Sequence, residues 1–414
     1  MKPFYFAGTH FPDELNKLVA LKPHTYSLAT SSWARLLYLL VFVLILLSIP
    51  SIALASNDEE FEELAKHIDL LSRFEWLFEP SEEDGLIVLP IAFSNPTIGS
   101  GVGGAARWRY RLDERTEISH TTFGAAWAGA DGWAVGLLQR TFLRGDQFRI
   151  NGVLGLFDVT RPYYGIGYDA GKRGDYIDLD QAGLLFTPEI LVQLGENLHI
   201  GMRYRLLQME TTSNSPEIFS GGDFNIPADE QDALSSGIGP TLRLDSRDSR
   251  YGPSSGALLD IISFVAGHDL GSDFEYQTFK AEYSHYVAVG EDHVLALGLT
   301  GCFTSGDVPY YDLCAFGQKS NLRGYVAGQY RDRNMASVQL EYRGQFYGRW
   351  GLVGFAGVGE VAPSVDELDG EDLLPSYGGG LRLMVSRKQR INVGIDYAVG
   401  KDTYAFYLRY GEAF

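Results

Sequence analysis

The chain has 414 residues and a net charge of −19. That acidic balance leaves no basic surplus to neutralise phosphates along a nucleic acid, so DNA and RNA are excluded as partners. Five Met and two Cys stand against 48 Gly, 24 Tyr and 24 Phe. With a mean hydropathy near zero, this argues against a bundle of membrane helices and for a β-protein rich in turns and aromatic interfaces.

The first apolar run, Leu36 to Pro50, follows Arg35 and precedes the small-x-small triplet Ala53-Leu54-Ala55. It is shorter than the roughly 20 residues a membrane helix needs. Residues 1–55 therefore read as a secretory signal peptide cut after Ala55, with an uncleaved anchor as the rival reading. In 56–84, Phe61, Leu64, Ile68, Leu71 and Phe74 recur at three- and four-residue spacing, the pattern of an acidic amphipathic helix on the periplasmic side. The segment is too short for a second globular domain. Export puts Cys302 and Cys314 in an oxidising compartment, which favours a disulfide closing a short loop over two unlinked thiols.

From Gly85 the period changes to two. In 198–206, Leu198, Ile200, Met202, Tyr204 and Leu206 oppose His199, Arg203 and Arg205. In 336–345, Ala336, Val338, Leu340 and Tyr342 oppose Ser337, Gln339, Glu341, Arg343 and Gln345. One face is aliphatic or aromatic from end to end, and the other carries Arg, Glu and Gln. That is the pattern of a barrel with lipid outside and water and ion pairs within.

The alternation predicts sixteen strands, near 86–94, 98–111, 117–128, 132–142, 147–157, 178–193, 198–209, 234–245, 257–267, 274–288, 293–303, 335–347, 351–361, 376–386, 390–399 and 403–414. An all-β, antiparallel transmembrane barrel over 85–414 follows. An even count puts both termini on the periplasmic side and sorts the long connections 158–177, 210–233, 304–334 and 362–375 to the outside. The first strand carries Pro90, tolerated at a strand edge, where weak pairing would leave a loose seam.

Three motifs stand out. The first is Leu322-Arg323-Gly324-Tyr325, in a long polar segment and followed by Tyr330-Arg331-Asp332 and then Glu341-Tyr342-Arg343. The second is Asp245-Ser246-Arg247-Asp248 with Pro253 and Gly256, in a turn placed in the periplasm. The third is the last strand, where Tyr404, Phe406, Leu408, Tyr410 and the final Phe414 are assigned to one face. Together and in this order they resemble the barrel of the Omp85 superfamily, also called the BamA/TamA or bacterial surface antigen D15 family.

The resemblance implies an outer-membrane barrel in which the Arg323 loop folds into the lumen and Glu341, on the following strand, pairs with the arginine. It also implies that the closing aromatic strand is the signal read by the barrel-assembly machinery. Two departures are visible. The family's Phe-x-Asp-x-Gly reads Phe355-Ala356-Gly357-Val358-Gly359 here, so one acid is missing and Asp396 is the alternative. Residues 56–84 are too short for a POTRA module, so a periplasmic partner is expected in its place.

Other sites carry less. Arg144-Gly145-Asp146 spells an adhesion tripeptide but reads as a turn. The histidines are scattered singly, no nucleophile motif flanks a serine, and no cluster has metal-ligand spacing. No enzyme activity, metal or cofactor is expected. The family implies help in inserting or translocating polypeptide or lipid at the outer membrane. A structural or pore-forming barrel without that activity is the alternative.

Overall fold

The computed structural model describes residues 85–414 apart from 96, 98, 114, 115, 130, 131, 214–223, 225, 318–320 and 389. The expected signal peptide and the expected helix at 56–84 lie outside the described residues.

Strands form the wall: β1 (Gly85–Asn95), β2 (Gly99–Tyr110), β3 (Ser119–Ala128), β4 (Gly132–Leu143), β5 (Phe148–Tyr163), β6 (Ile177–Gln193), β7 (Leu198–Ser213) and β8 (Asp232–Asp245). They continue through β9 (Gly256–Ala266), β10 (Tyr276–Ala288) and β11 (His293–Gly306). The two-residue strands β12 (Cys314–Ala315) and β13 (Arg331–Asp332) pair with each other inside a loop. The wall resumes as β14 (Asn334–Tyr347), β15 (Trp350–Ala362), β16 (Leu374–Ser386), β17 (Ile391–Gly400) and β18 (Thr403–Tyr410). Sixteen strands pair antiparallel in chain order, a barrel fold with the expected strand number. β1 lies beside β18, but among the described residues no ladder joins the two, so the sheet is open at that seam.

The expected strands are present, with corrections at their ends. β5 and β7 run on to Tyr163 and Ser213, beyond the alternation, because their far ends pair with the equally long β6. β18 stops at Tyr410 rather than Phe414, because the chain turns at Gly411, whose φ is 83°.

Alternation decides which way each side chain points. Trp108, Phe123, Trp127, Ile190, Leu340, Leu352 and Ile395 stand on the outer face and are exposed. A continuous apolar exterior of this extent does not persist in water and is the surface a bilayer covers. The lumen is polar where the strands carry Arg, Glu and Gln. It is filled towards β11 and β14–β16 by the loop that holds β12 and β13, where Leu322, Tyr325, Phe316, Tyr330, Met335, Val361 and Leu374 pack together.

A charge on the outer face measures this directly. Leu340→Arg, halfway along β14, is expected to cost about 2–4 kcal/mol of folding free energy in a bilayer, read from urea unfolding in vesicles. A neutral effect would mean that this face does not meet lipid.

Candidate functional site

The loop between β11 and β14 returns to the wall because its own backbone is tied there. Cys302 on β11 and Cys314 on β12 form a disulfide with Cα atoms 5.7 Å apart. Phe316 N–H donates to Tyr330 O, and Gly328 N–H to Phe316 O, so the loop is a small hairpin rather than a free strap. Its tip is Leu322-Arg323-Gly324-Tyr325. Gly324 has φ 98°, and a Cβ there would sit 2.8 Å from Gly400 N. Positive φ and close backbone contact together leave only glycine. The tip is fixed on both sides: Gly324 N–H donates to Tyr407 OH, Tyr325 OH to Pro375 O, and Ser376 Oγ to Arg323 O.

Arg323 is 1% exposed. Its Nη1 lies 2.6 Å from Glu341 Oε2 and 3.2 Å from Asp396 Oδ2. Nε donates to Gln339 Oε1 at 3.3 Å, and the guanidinium plane stacks 3.4 Å from the Phe355 ring centre. Glu341 also takes Arg343 Nε at 2.6 Å. Asp396 takes Arg382 Nη1 and Arg409 Nε, each at 2.5 Å. Arg382 Nε reaches Glu412 at 2.9 Å. Four guanidiniums therefore interlock with three carboxylates on β14, β16, β17, β18 and the tail after it. Charges this deeply enclosed are tolerated only when each has such partners.

The missing acid has a structural account. A Cβ on Gly357 would lie 2.5 Å from Gln339 Cγ, so Gln339 on the neighbouring strand occupies the space an aspartate there would fill. Its carbonyl oxygen takes the Arg323 Nε–H, and Asp396 supplies the second negative charge. Gln339, Arg382, Arg409 and Glu412 were not singled out from the sequence. Arg382, Asp396 and Arg409 share the inward parity of β16, β17 and β18, and that parity is the signal that finds them.

The turn motif holds the opposite kind of position, at a strand-to-strand turn. Arg247 forks onto Asp245 at 2.8 and 2.9 Å. Asp248 accepts from Ser254 N and Oγ, Ser255 N and Arg390 Nη1. Pro253 O accepts from Arg343 Nη1 at 3.4 Å. Gly256 has φ 91°, and a Cβ there would meet Ser246 O at 2.2 Å. Arg250 in the same turn pairs with Glu117 at 3.0 Å, and Tyr251 packs edge-on against Tyr410. The turn thus reaches the β2–β3 turn, the β16–β17 turn and the end of β18.

On β18, Tyr404, Phe406, Leu408 and Tyr410 face outward and are exposed. Phe414 does not share that face. After the turn at Gly411 its ring lies against Gly298 and 5.8 Å from the Arg343 guanidinium, and its main-chain oxygen accepts from Arg343 Nη2 at 2.8 Å. The alternation was extended through a glycine in the left-handed region, which ends the strand.

A family model described as the Omp85 superfamily domain matches residues 135–414. The chain belongs to the Omp85 superfamily. The Omp85 match starts within β4 and takes in both the turn motif and the arginine loop. Solved structures of similar fold include BamA from Haemophilus ducreyi lacking POTRA domains 1–3, at 13% identity and a TM-score of 0.54, covering 78% of this chain and 70% of that one. CdiB from Acinetobacter baumannii (11%, TM-score 0.51) covers 78% of this chain and CdiB from Escherichia coli (9%, 0.55) covers 79%. The present chain spans 59% and 62% of those two CdiB chains. Comparison with curated proteins finds no match. As an Omp85 barrel the protein is an outer-membrane β-barrel, and no POTRA-like unit occurs among its described residues.

Arg323→Ala removes the central cation but leaves Glu341 and Asp396 with other arginines. The cost is expected near the lower end for breaking a buried pair, about 3 kcal/mol, seen as a lower temperature at which the folded gel band disappears; an unchanged temperature would make the clamp dispensable. Gly357→Asp is expected to destabilise by collision with Gln339 Cγ and with the Val338 carbonyl at 2.7 Å, and adding Gln339→Gly should restore the part of the stability lost to the side chain. If the double variant is worse than the single, Gln339 is not the space-filling substitute.

Burial alone would raise the Asp248 carboxyl, but hydrogen bonds from Ser254, Ser255 and Arg390 hold it down at about 2, against an ordinary value of 3.8. A lowered folded pKa contributes stability that is complete above the ordinary value and is lost as pH falls towards 2. Asp248→Asn should therefore be less stable than the wild type at pH 6, with the gap closing by about pH 2. A gap that persists at acid pH would rule out the carboxylate as its source.

Proposed function

We propose that this barrel assists insertion or translocation of polypeptide at the outer membrane, with both termini and the short turns on the periplasmic side. The observation that carries this is the seam. Among the described residues, β1 is paired on one side only, through all eleven residues from Gly85 to Asn95, with β2. β18 is paired on one side only, with β17. Two strand edges with unmatched N–H and C=O groups face each other within the wall, and such edges template pairing with an added strand. A client strand is the partner these edges fit. The clamp ties the β14–β18 side together through shared carboxylates, while the described tie of the β1–β2 hairpin to the loop is one hydrogen bond from Ala327 N–H to Thr97 Oγ1, so opening falls on the β1 side.

Clients need not be delivered by this chain. A periplasmic partner in place of a POTRA module is part of the proposal, and the acidic segment 56–84 is its candidate contact. Surrounding outer-membrane lipid and the assembly machinery that places the barrel complete the partners. No enzymatic step is included.

The purified barrel is reconstituted in liposomes with an unfolded outer-membrane protein as client. Faster appearance of folded client is expected, and a disulfide introduced between β1 and β18 should abolish the acceleration reversibly with reductant. No acceleration, together with steady ion conductance, would sink the proposal and favour a pore-forming barrel.

A further inference from the structure

The loop that carries Arg323 also reaches both sides of the seam. Tyr325 is fully enclosed, and its ring packs on the turn between β17 and β18, where a Cβ on Gly400 would lie 2.7 Å from the ring carbon that bears the hydroxyl. The same hydroxyl accepts Lys401 N–H at 3.0 Å. Two residues further on, Ala327 N–H donates to Thr97 Oγ1 at 2.8 Å. Thr97 lies in the turn between β1 and β2. Tyr325 and Ala327 are at most about 7 Å apart even in an extended chain. One three-residue segment, Tyr325-Val326-Ala327, therefore ties the hairpin of one edge strand to the hairpin of the other.

The segment is itself held by the loop. Gln329 N–H donates to Val326 O, and a Cβ on Gly317 would meet Ala327 N at 2.6 Å, so the segment packs directly on the facing part of its own loop. Lys401 Nζ also bonds Tyr168 OH, in the short helix Tyr168–Arg173 between β5 and β6. The Tyr168 ring lies 5.9 Å from that of Tyr330. The β17–β18 turn is thus held by two loops and the β1–β2 turn by one hydrogen bond.

The other end of the seam is arranged differently. There β1 starts at Gly85 and β18 ends at Tyr410. After Tyr410 the chain turns into the lumen, where Glu412 accepts from Arg382 and the Phe414 main-chain oxygen from Arg343. Among the described residues the tie of the Gly85 end of β1 is its ladder to β2. A neutral hydrogen bond such as Ala327 to Thr97 shifts an equilibrium by roughly five-fold. That is enough to order the opening of two otherwise unpaired edges and weak enough to be undone.

We propose that Tyr325-Val326-Ala327 is a strap across one end of the seam, so that the edges part first at the Gly85 and Tyr410 end and pivot about the strapped end. This rests on the seam being the working site. In the membrane orientation proposed above, it makes the periplasmic rim the place where a client strand enters.

The full chain is reconstituted in liposomes without client, and spin-label pairs read the seam at each end. The native cysteines are taken up in the disulfide, so introduced cysteines carry the labels. Leu86→Cys with Leu408→Cys reports the free end and Val102→Cys with Tyr404→Cys the strapped end; all four positions are exposed on the outer face. Distances at the free end are expected to spread over closed and open forms, and those at the strapped end to stay narrow. Thr97→Val should raise the open population at the strapped end about five-fold, and Tyr325→Phe, which keeps the ring and removes the hydroxyl, should raise it too. Thr97→Ser, which keeps the acceptor, should leave it unchanged. The proposal is overturned if the strapped end is as broad as the free end before substitution, if neither end shows an open form, if Thr97→Val leaves the strapped end narrow or does not fold, or if Thr97→Ser widens it equally. With no client present, these outcomes are separate from the insertion assay: lost acceleration with the distance pattern intact sinks the function and leaves the strap.

Discussion

A guanidinium sealed inside a barrel has to be matched, and the structure around Arg323 is arranged by that requirement. Its charge is met by Glu341 and Asp396, its plane by Phe355 and one N–H by Gln339. Those residues sit on β14, β15 and β17. Satisfying one side chain therefore fixes the loop tip and the mutual register of the strands that surround it. Buried ion pairs contribute little net stability compared with apolar packing, and their best-supported role is to select one arrangement over others. Here the arrangement selected is the loop inside the lumen.

This explains an asymmetry across the seam. The β18 side is bound to its neighbours by a ladder and by carboxylates shared among Arg323, Arg382 and Arg409. Glu412 and Phe414 extend the same network past the end of the strand. Among the described residues the β1 side has its ladder to β2 and one hydrogen bond from the loop, Ala327 N–H to Thr97 Oγ1. Local opening follows the region with the fewest buried contacts, so the two edges differ in stiffness.

Much of the barrel is legible in residue order because period-two alternation is a local property, fixed by the pleat at every residue. Strand number, pairing in chain order and the inward side of Arg323 and Glu341 all follow from it. The clamp's remaining members are less legible because they meet across separations such as Arg323 to Asp396, where parity shows that a side chain points inward but not at what height. Gln339 replacing an acid on the next strand is a matter of volume between two strands, and residue types alone do not show it. Phe414 fails for a different reason: alternation was carried past Gly411, where positive φ ends the pleat. Pro90, which might have marked a break, pairs with Gly104 in β1, where an edge strand tolerates its missing N–H.

The two arginine-rich zones of the lumen show how composition and arrangement separate. Both stand on inward positions of the same alternating pattern, in a chain whose overall charge is strongly negative. Around Arg323 three carboxylates are interleaved with four guanidiniums, so the charges are consumed by the fold and the zone is structural. Around Arg140 the nearby carboxylates are engaged singly, Glu117 with Arg250, Asp146 with Arg149 and Asp260 with Arg243. Cation count does not distinguish the zones. What distinguishes them is whether the carboxylates are shared among several guanidiniums, as around Arg323, or each taken by one, and that is set by which turn and which neighbouring strand deliver them.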